Sequence, residues 1–409
     1  MTADSASDQR RILWLTGVGH GLGHAWELVF PAVAIPMAAD LGLSFGETLE
    51  LAFPLYLLFG LGAPLAGYLT DRLGGRRVLL LCLGLGGLSG LLLAMTSGRL
   101  PLMLAFGGLG LAASLYHPAG LGLLSHRFPK NTGWALGING MAGNVGIALT
   151  PVLAGACASL WGWRWAYVLF SVPGLVGALF FLYWRFEDGP ENDPPQSVGE
   201  RAPIDWTAIG LLMFAMMAAG LAYRIHTLVV PALLQERLPG LEALVAGLPG
   251  ASSLSSVKNL GATFLTSAAY MMGLLGQWIG GKIADSRSLI LSYIAFHLGA
   301  LPLVLVAAFA FGPALVVVLF LYLFFAFGMQ PAENSLVAKM SPPRFRGRAY
   351  AAKFVVTFGI GSLGTYVVRG LEPVGGLGAS LGASAGLELV LLASATWLWL
   401  RLRRKGRLL

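Results

Sequence analysis

The sequence predicts an all-α integral membrane protein with twelve transmembrane helices in two six-helix halves. Hydrophobic residues make up 56% of the 409 residues and charged residues only 11%, whereas soluble proteins contain about 25% charged residues. Apolar runs of about 20 residues, long enough to cross a hydrocarbon core of about 30 Å, recur along nearly the whole chain. A charged turn between two of these runs is repeated in degraded form in the second half, which indicates duplication.

The apolar runs divide the chain into two groups of six. The predicted spans are 11–38, 48–70, 76–97, 100–126, 132–160, 163–185, 206–236, 258–283, 287–311, 313–338, 346–370 and 378–402. The stretch 186–205 is acidic, contains several prolines and has no apolar period, so it predicts a cytoplasmic linker. We therefore expect an N-terminal half at 1–185 and a C-terminal half at 206–409.

Lys and Arg predict the orientation, because short cytoplasmic loops are enriched in these residues. The loops on the side of the two termini hold most of them, including the cluster 339–348 and the tail 401–407, and the opposite loops hold few. Both termini should therefore be cytoplasmic. The net charge of +8 is spread over many membrane-proximal loops and no nucleic-acid-binding motif accompanies it, so we expect contact with the lipid bilayer and none with nucleic acid.

The repeated turn lies between the second and third spans. It comprises Gly67, Asp71, Arg72, Gly74, Arg76 and Arg77, and the degraded copy keeps Gly281, Asp285 and Arg287. The glycines allow a tight reversal, and a carboxylate at the membrane edge needs compensating positive charge. We expect the neighbouring arginines to compensate Asp71 and to form a conformational latch that can be made and broken.

This segment resembles the loop signature of the major facilitator superfamily, and Gly162-Trp163-Arg164-Trp165 is similar to a sequence common at the start of its sixth span. The resemblance covers essentially the whole chain. It implies two halves built from inverted three-helix repeats, which bind substrate near the bilayer midplane and expose it alternately to either side. It also implies that Asp71 and its arginines stabilise the outward-facing state.

A narrower resemblance points to one branch of the superfamily. The segments 40–44 and 114–118 are similar to those of the bacterial fosmidomycin-resistance branch, whose members are exporters. The first span departs from that branch because it carries His20, His24 and Glu27.

Ionisable residues inside the spans are the candidate site, because burying such groups in hydrocarbon is costly unless they face a cavity or a partner. His20, His24 and Glu27 fall within about 60° of one helix face, so we expect them to look into one cavity. Three roles remain open for them: hydrogen bonding to neighbouring helices, proton or substrate handling, and, as a minority interpretation, a transition-metal site.

The other candidates lie in four further spans. His117 precedes Pro118, a proline that can bend its helix at a cavity. An arginine in mid-span needs an anion, and the options for Arg224 are Glu27, Glu333 or an anionic substrate. The remaining candidates for proton coupling or substrate binding are His226, Gln330, Glu333, Asn334, Asn139 and Asn144. The alternative for Gln330, Glu333 and Asn334 is simple hydration, and for the two asparagines it is interhelical hydrogen bonding.

The predicted function is proton-coupled secondary active transport by alternating access, as antiport export of a small organic compound or drug. The alternatives are an uptake permease for an anionic metabolite, a carrier for transition-metal ions or metal chelates that uses His20, His24 and Glu27, and a non-transporting membrane sensor. No phosphate-binding loop or metalloprotease helix is present in the sequence, so we expect no enzyme. We expect no cofactor, protons as the coupling ion, a small-molecule substrate, a monomer, and a location in the bacterial inner membrane.

Overall fold

The computed structural model describes residues 3–184, 205–245, 247, 256–341 and 346–406. The first half contains α1 (Ala3–Leu41), α2 (Phe45–Leu61), α3 (Ala63–Leu73), α4 (Gly75–Met95), α5 (Arg99–Arg127), α6 (Thr132–Trp161) and α7 (Trp163–Tyr183). The second contains α8 (Trp206–Arg237), α9 (Leu241–Val245), α10 (Val257–Ser286), α11 (Leu289–Ala307), α12 (Gly312–Gly328), α13 (Gln330–Met340), α14 (Arg346–Phe354) and α15 (Gly364–Arg404).

The described helices account for the twelve predicted spans and confirm the fold class. Nine are long and apolar enough to cross a membrane, and α2 with α3, bent by 52°, gives a tenth. The 30-residue helix α10 supplies another. The last comes from α15, where Gly375 and Gly376 break the helix and Gly376 has a φ of 66°. A side chain rarely adopts that φ, so glycine separates the final two spans.

Most of the predicted linker lies outside the described residues. Its last residue, Asp205, is the N-cap of α8 and accepts a hydrogen bond from the Ala208 amide at 3.1 Å. This residue therefore belongs to the helix start, which agrees with the preference for aspartate at that position.

Two spans of the second half are interrupted. The tenth span divides at Met329, just before Pro331, into α12 and α13, because proline cannot donate a backbone hydrogen bond within a helix. The eleventh span passes from α14 through a π-helical segment at Val355–Ile360 and a short 3-10 turn into α15. Such segments are frequent at functional sites.

Close packing of small residues joins the halves. A Cβ added at Gly60 of α2 would overlap the backbone nitrogen of Gly359 in the π-helical segment, and one added at Gly155 of α6 would overlap Thr263 of α10. Within the halves, α1 packs on α6 and α8 packs on α15. Membrane helices gain little from burying leucine against one another, so small residues that let backbones approach drive such contacts.

Candidate functional site

A buried ion pair connects the two halves. Nη2 of Arg224 in α8 lies 2.6 Å from Oε1 of Glu27 in α1, and the two side chains are only 1% and 2% exposed. The guanidinium carbon lies 3.4 Å from the ring centroid of Tyr56 in α2. Glu27, rather than Glu333, is thus the anionic partner of Arg224 in this conformation.

Arg224 is not fully satisfied by this pair. Its Nε has no hydrogen-bond partner among the described residues, and its Nη1 reaches Thr227 only at 3.5 Å. A buried polar hydrogen without a partner is costly. The guanidinium therefore has capacity for another acceptor.

The histidines of the first span have a different third partner from the one predicted. The ligating atoms of His20, His24 and His117 all lie within 4.8 Å of one another, and Glu27 is not in this group. Glu27 therefore stays a predicted, not an observed, neighbour of both histidines in one cavity. It shares their helix face, but seven residues at about 1.5 Å each separate it from His20 along the axis, and Arg224 binds it there.

Two contacts position the His20 ring, and a hydrogen bond joins the two residues that make them. Its Nδ1 lies 2.9 Å from the Asn139 carbonyl oxygen, and the ring stacks on Tyr116 at a centroid distance of 4.8 Å. The Asn139 side-chain amide donates to the Tyr116 hydroxyl at 2.8 Å. Asn139 thus bonds between helices, which was the alternative to ligand binding. Asn144 is half-buried and makes no side-chain hydrogen bond within the described parts of the chain.

His226 lies apart from the histidines of the first half. Its Nδ1 is 3.1 Å from the Tyr322 hydroxyl of α12, and its Nε2 has no partner among the described residues. Its neighbour Tyr223 packs edge-on against its ring. His226 therefore belongs to the interior of the second half.

The polar residues of the tenth span contact two different side chains, Lys353 of α14 and Gln277 of α10. Glu333 is buried and its Oε1 lies 2.7 Å from Nζ of Lys353 in α14, which also donates to Asn334. Gln330 accepts a hydrogen bond from Gln277 at 2.9 Å. Asn334 is exposed to water as well as bonded to Lys353, whereas simple hydration does not account for buried Glu333.

Lys353, His297 and Glu388 are not among the site residues predicted from the sequence. His297 of α11 and Glu388 of α15 form a pair at 2.7 Å, with side chains 2% and 4% exposed. Glu388 is the sole acidic residue of the predicted last span, 378–402. An intramembrane carboxylate is a functional candidate by default, so that signal was available in the sequence.

The predicted latch is not formed in this structure. Gly74 separates α3 from α4 with a φ of 81°, as a tight reversal requires. Asp71 is exposed, and no salt bridge involves it within the described residues. Arg72 lies over the Tyr68 ring, Arg77 is exposed, and Nη1 of Arg76 donates to the Phe181 carbonyl oxygen. The function of the latch stays a prediction.

Among the described residues, the degraded copy of the turn makes no ion pair either. Asp285 and Arg287 are exposed, and a Cβ at Gly281 would meet nothing within 4 Å. Lys282 lies over the Trp278 ring instead. In the part of the chain that the structure describes, neither copy of the turn therefore bridges the halves.

Ion pairs do join helices at the end of the bundle opposite the termini. Glu50 of α2 binds Arg369 of α15, from the other half, and also Arg99 of α5 at 2.7 Å. In the first half, Asp40 accepts hydrogen bonds from Arg164 and Trp163. The Trp-Arg segment noted in the sequence thus ties α7 to α1.

Comparison with known proteins identifies relatives in transport. The profile of the Major Facilitator Superfamily matches residues 14–365. The chain is 32% identical over 182 residues to the "Probable nitrate/nitrite antiporter NarK1" of Thermus thermophilus, a match that covers 44% of this chain and 38% of the relative. It is 27% identical over 280 residues to "Multidrug resistance protein MdtG" of Yersinia enterocolitica, covering 64% of this chain and 66% of the relative. Each match thus spans less than two thirds of the relative's length.

Solved transporter structures share the fold over nearly the whole chain. The peptide transporter POT in complex with sulfate superposes with a TM-score of 0.73 at 16% identity, covering 95% of both chains. The nucleoside transporter NupG gives a TM-score of 0.70 at 16% identity, covering 95% of this chain and 99% of that one. With the helical architecture and the matched profile, these likenesses establish that the chain belongs to the major facilitator superfamily.

Proposed function

We propose that this protein is a proton-coupled secondary active transporter of small organic or inorganic anions, working by alternating access. The observation that supports it best is the buried Glu27–Arg224 pair between the two halves, with an N–O distance of 2.6 Å. The protein would lie in the bacterial inner membrane with both termini in the cytoplasm, as its distribution of Lys and Arg favours.

The pair offers a direct exchange between a proton and an anion. Protonation of Glu27 removes its charge and leaves Arg224 as a buried cation without a counterion, which is strongly unfavourable. An anionic substrate restores the balance by binding the guanidinium. When the substrate leaves and Glu27 loses its proton, the ion pair forms again. Proton and anion would therefore bind together and cross together.

The relatives' names agree with an anionic substrate. One relative is named as a nitrate/nitrite antiporter and another, from Chlamydia trachomatis, as a "Probable hexose phosphate transport protein". Arginine is suited to both classes of anion, because its planar fork donates two parallel hydrogen bonds to oxyanions. Its unpartnered Nε would supply one of these donors.

A second candidate is export of a drug or small organic compound by proton antiport. The name "Multidrug resistance protein MdtG", whose match covers 64% of this chain, favours it. In that case a neutral or cationic substrate would compete with the proton at Glu27. The two candidates predict opposite directions of proton movement.

Proteoliposomes with a pH-sensitive dye in the lumen distinguish them. Nitrate, nitrite, glucose 6-phosphate and a cationic dye are added in turn, and luminal pH is followed. Anion entry with acidification of the lumen supports the proposal, whereas proton release on substrate entry supports antiport. No substrate-dependent proton movement with any of them, together with uptake of one, contradicts proton coupling.

The Glu27→Gln variant tests the residue assignment. We expect it to lose uptake driven by a pH gradient but to keep counterflow exchange, which needs no net proton movement. Counterflow also shows that the variant is folded. The matched control is Glu242→Gln, since Glu242 makes an exposed contact of 3.6 Å with Lys258. If Glu27→Gln keeps gradient-driven uptake, Glu27 does not carry the proton.

A further inference from the structure

We infer that His20, His24 and His117 form a binding site for a divalent transition-metal ion of the zinc class. One nitrogen from each ring lies within 4.8 Å of the others. The inference is independent of the proposed transport mechanism, because neither Glu27 nor Arg224 belongs to this histidine cluster.

The spacing suits tetrahedral coordination after small side-chain rotations. His24 Nε2 lies 3.2 Å from His20 Nε2, and two nitrogens bound to one zinc ion at about 2.0–2.1 Å in tetrahedral geometry are about 3.3 Å apart. His117 stands edge-on to both rings, with centroids 5.1 and 5.7 Å away. A rotation of its side chain would close the site.

The tautomer of His20 is already the one a metal needs. Its Nδ1 bonds to the Asn139 carbonyl oxygen at 2.9 Å, and a carbonyl can only accept, so Nδ1 carries the proton. The lone pair of the neutral ring is therefore on Nε2, which faces His24. Metal-binding histidines usually donate their other ring nitrogen to a carbonyl or carboxylate in this way, which fixes the orientation of the ring.

Close packing also holds the His20 ring in place. Tyr116 stacks on the His20 ring, and Gly143 of α6 packs so closely that an added Cβ would lie 2.6 Å from Cε1 of His20. Only glycine at position 143 leaves room for the ring where it is. Such support is what keeps a ligand set in its productive geometry.

The fourth position would be open to water or an anion. All three histidines come from α1 and α5 of the first half, and the described ligand group contains no carboxylate. Imidazole ligands suit zinc, copper, nickel and iron, and three histidines with one open position are a common zinc arrangement. His117 also touches Phe354 of α14, with ring centroids 5.2 Å apart. The ion would thus bind where the two halves meet.

Metal titration of the full-length protein, with any affinity tag removed, tests the inference. Isothermal titration with Zn²⁺ should give one site per chain. Co²⁺ should produce intense visible absorption typical of tetrahedral coordination, and Mg²⁺, which prefers oxygen ligands, should give no binding. His24→Ala and His117→Ala should each weaken Zn²⁺ binding at least about tenfold.

Matched variants test whether Zn²⁺ binding depends on the histidine cluster rather than on other histidines of the chain. His126→Ala removes an exposed histidine of α5, and His226→Ala removes a buried one from the second half; both should keep the wild-type affinity. Gly143→Ala keeps every ligand but displaces the His20 ring, so it should weaken binding as well. If the His117→Ala variant does not fold, the same Zn²⁺ titration is done with His24→Asn, because His24 is only half-buried.

The inference is overturned if wild-type protein binds no Zn²⁺, or if the His24 and His117 variants bind it as tightly as wild type. Dependence on His126 would also overturn it. Glu27→Gln should bind Zn²⁺ normally even if it loses proton-driven uptake. Failure of the metal site and failure of the proposed transport mechanism are therefore distinguishable.

Discussion

Glu27 and Arg224 form an ion pair in the protein interior, where burying an uncompensated charge costs free energy. Their side chains are 2% and 1% exposed, so each has lost nearly all of its hydration and depends on the other. Breaking a buried pair by removing one partner is much worse than replacing both, because a single charge then remains uncompensated.

A double-mutant cycle tests this dependence. We expect Glu27→Gln alone and Arg224→Met alone each to lower the free energy of unfolding by about 3–5 kcal/mol, and the double variant Glu27→Gln with Arg224→Met to recover most of that loss. Chemical unfolding followed by tryptophan fluorescence provides the measurement.

The control for this cycle is Glu242→Gln at the exposed Glu242–Lys258 contact, which should change the free energy by no more than about 0.5 kcal/mol. A Glu27→Gln effect as small as that of the control would contradict the account of the pair as a mutually dependent buried contact.

At the scale of the helix, α8 begins on a residue that also binds the end of α15. Asp205 caps α8, and its carboxylate accepts hydrogen bonds from Arg401 at 2.9 Å and from Lys405 at 2.6 Å. These two cations hold the pKa of Asp205 well below its ordinary value of 3.8. These hydrogen bonds thus join the N-terminus of α8 to the C-terminal end of α15.

This contact predicts a pH dependence of stability. Because the folded pKa is lowered, the stabilisation is fully present above the ordinary pKa of 3.8 and is lost as the pH falls towards the folded value. Asp205→Asn should therefore lower the Tm at neutral pH, and the difference from wild type should shrink below about pH 4. Thermal unfolding between about pH 3 and pH 8 measures it.

Asp285→Asn is the matched control for Asp205→Asn. Asp285 is exposed and makes no ion pair within the described parts of the chain, so its replacement should leave the Tm nearly unchanged at every pH. A difference for Asp205→Asn that stays constant from neutral to acidic pH would show that the carboxylate charge is not what stabilises α8.

At the scale of the whole molecule, a second ion pair between the halves lies at one end of the bundle. Glu50 bridges Arg369 of the second half and Arg99 of the first at the end opposite the termini, while Asp71 at the other end has no salt bridge among the described residues. Alternating access requires each end to open in turn. We therefore expect Glu50 to stabilise closure of the end at which it lies.

Glu50→Gln should shift the population towards opening at that end. Partly exposed pairs contribute about 1 kcal/mol or less each, which can change a two-state ratio up to about fivefold. Spin labels at Trp161→Cys and Val374→Cys, both highly exposed at that end, should show more of the longer distances. The background carries Cys82→Ala and Cys157→Ala, which replace the two buried native cysteines.

Arg164→Gln is the control for Glu50→Gln, because it breaks the Arg164–Asp40 pair at the same end but within the first half. It should leave the label distances unchanged. An equal shift in both variants would mean that the labels report local loosening rather than separation of the halves.

The hydropathy pattern predicted the spans because it is a local property. Length, apolar composition and prolines such as Pro331 specify where a helix crosses the membrane and where it breaks. The π-helical segment at Val355–Ile360 carried no such signal, since its form depends on the packing of Gly359 against Gly60 in the other half.

The sequence by itself determined the twelve spans, their division into two halves and the helix face shared by His20, His24 and Glu27. Only the tertiary structure decided the partners on that face. Helical periodicity fixes the direction in which a side chain points, but its partner depends on which helix packs opposite at that height. Glu27 therefore binds Arg224, 197 positions away, whereas His20 and His24 meet His117.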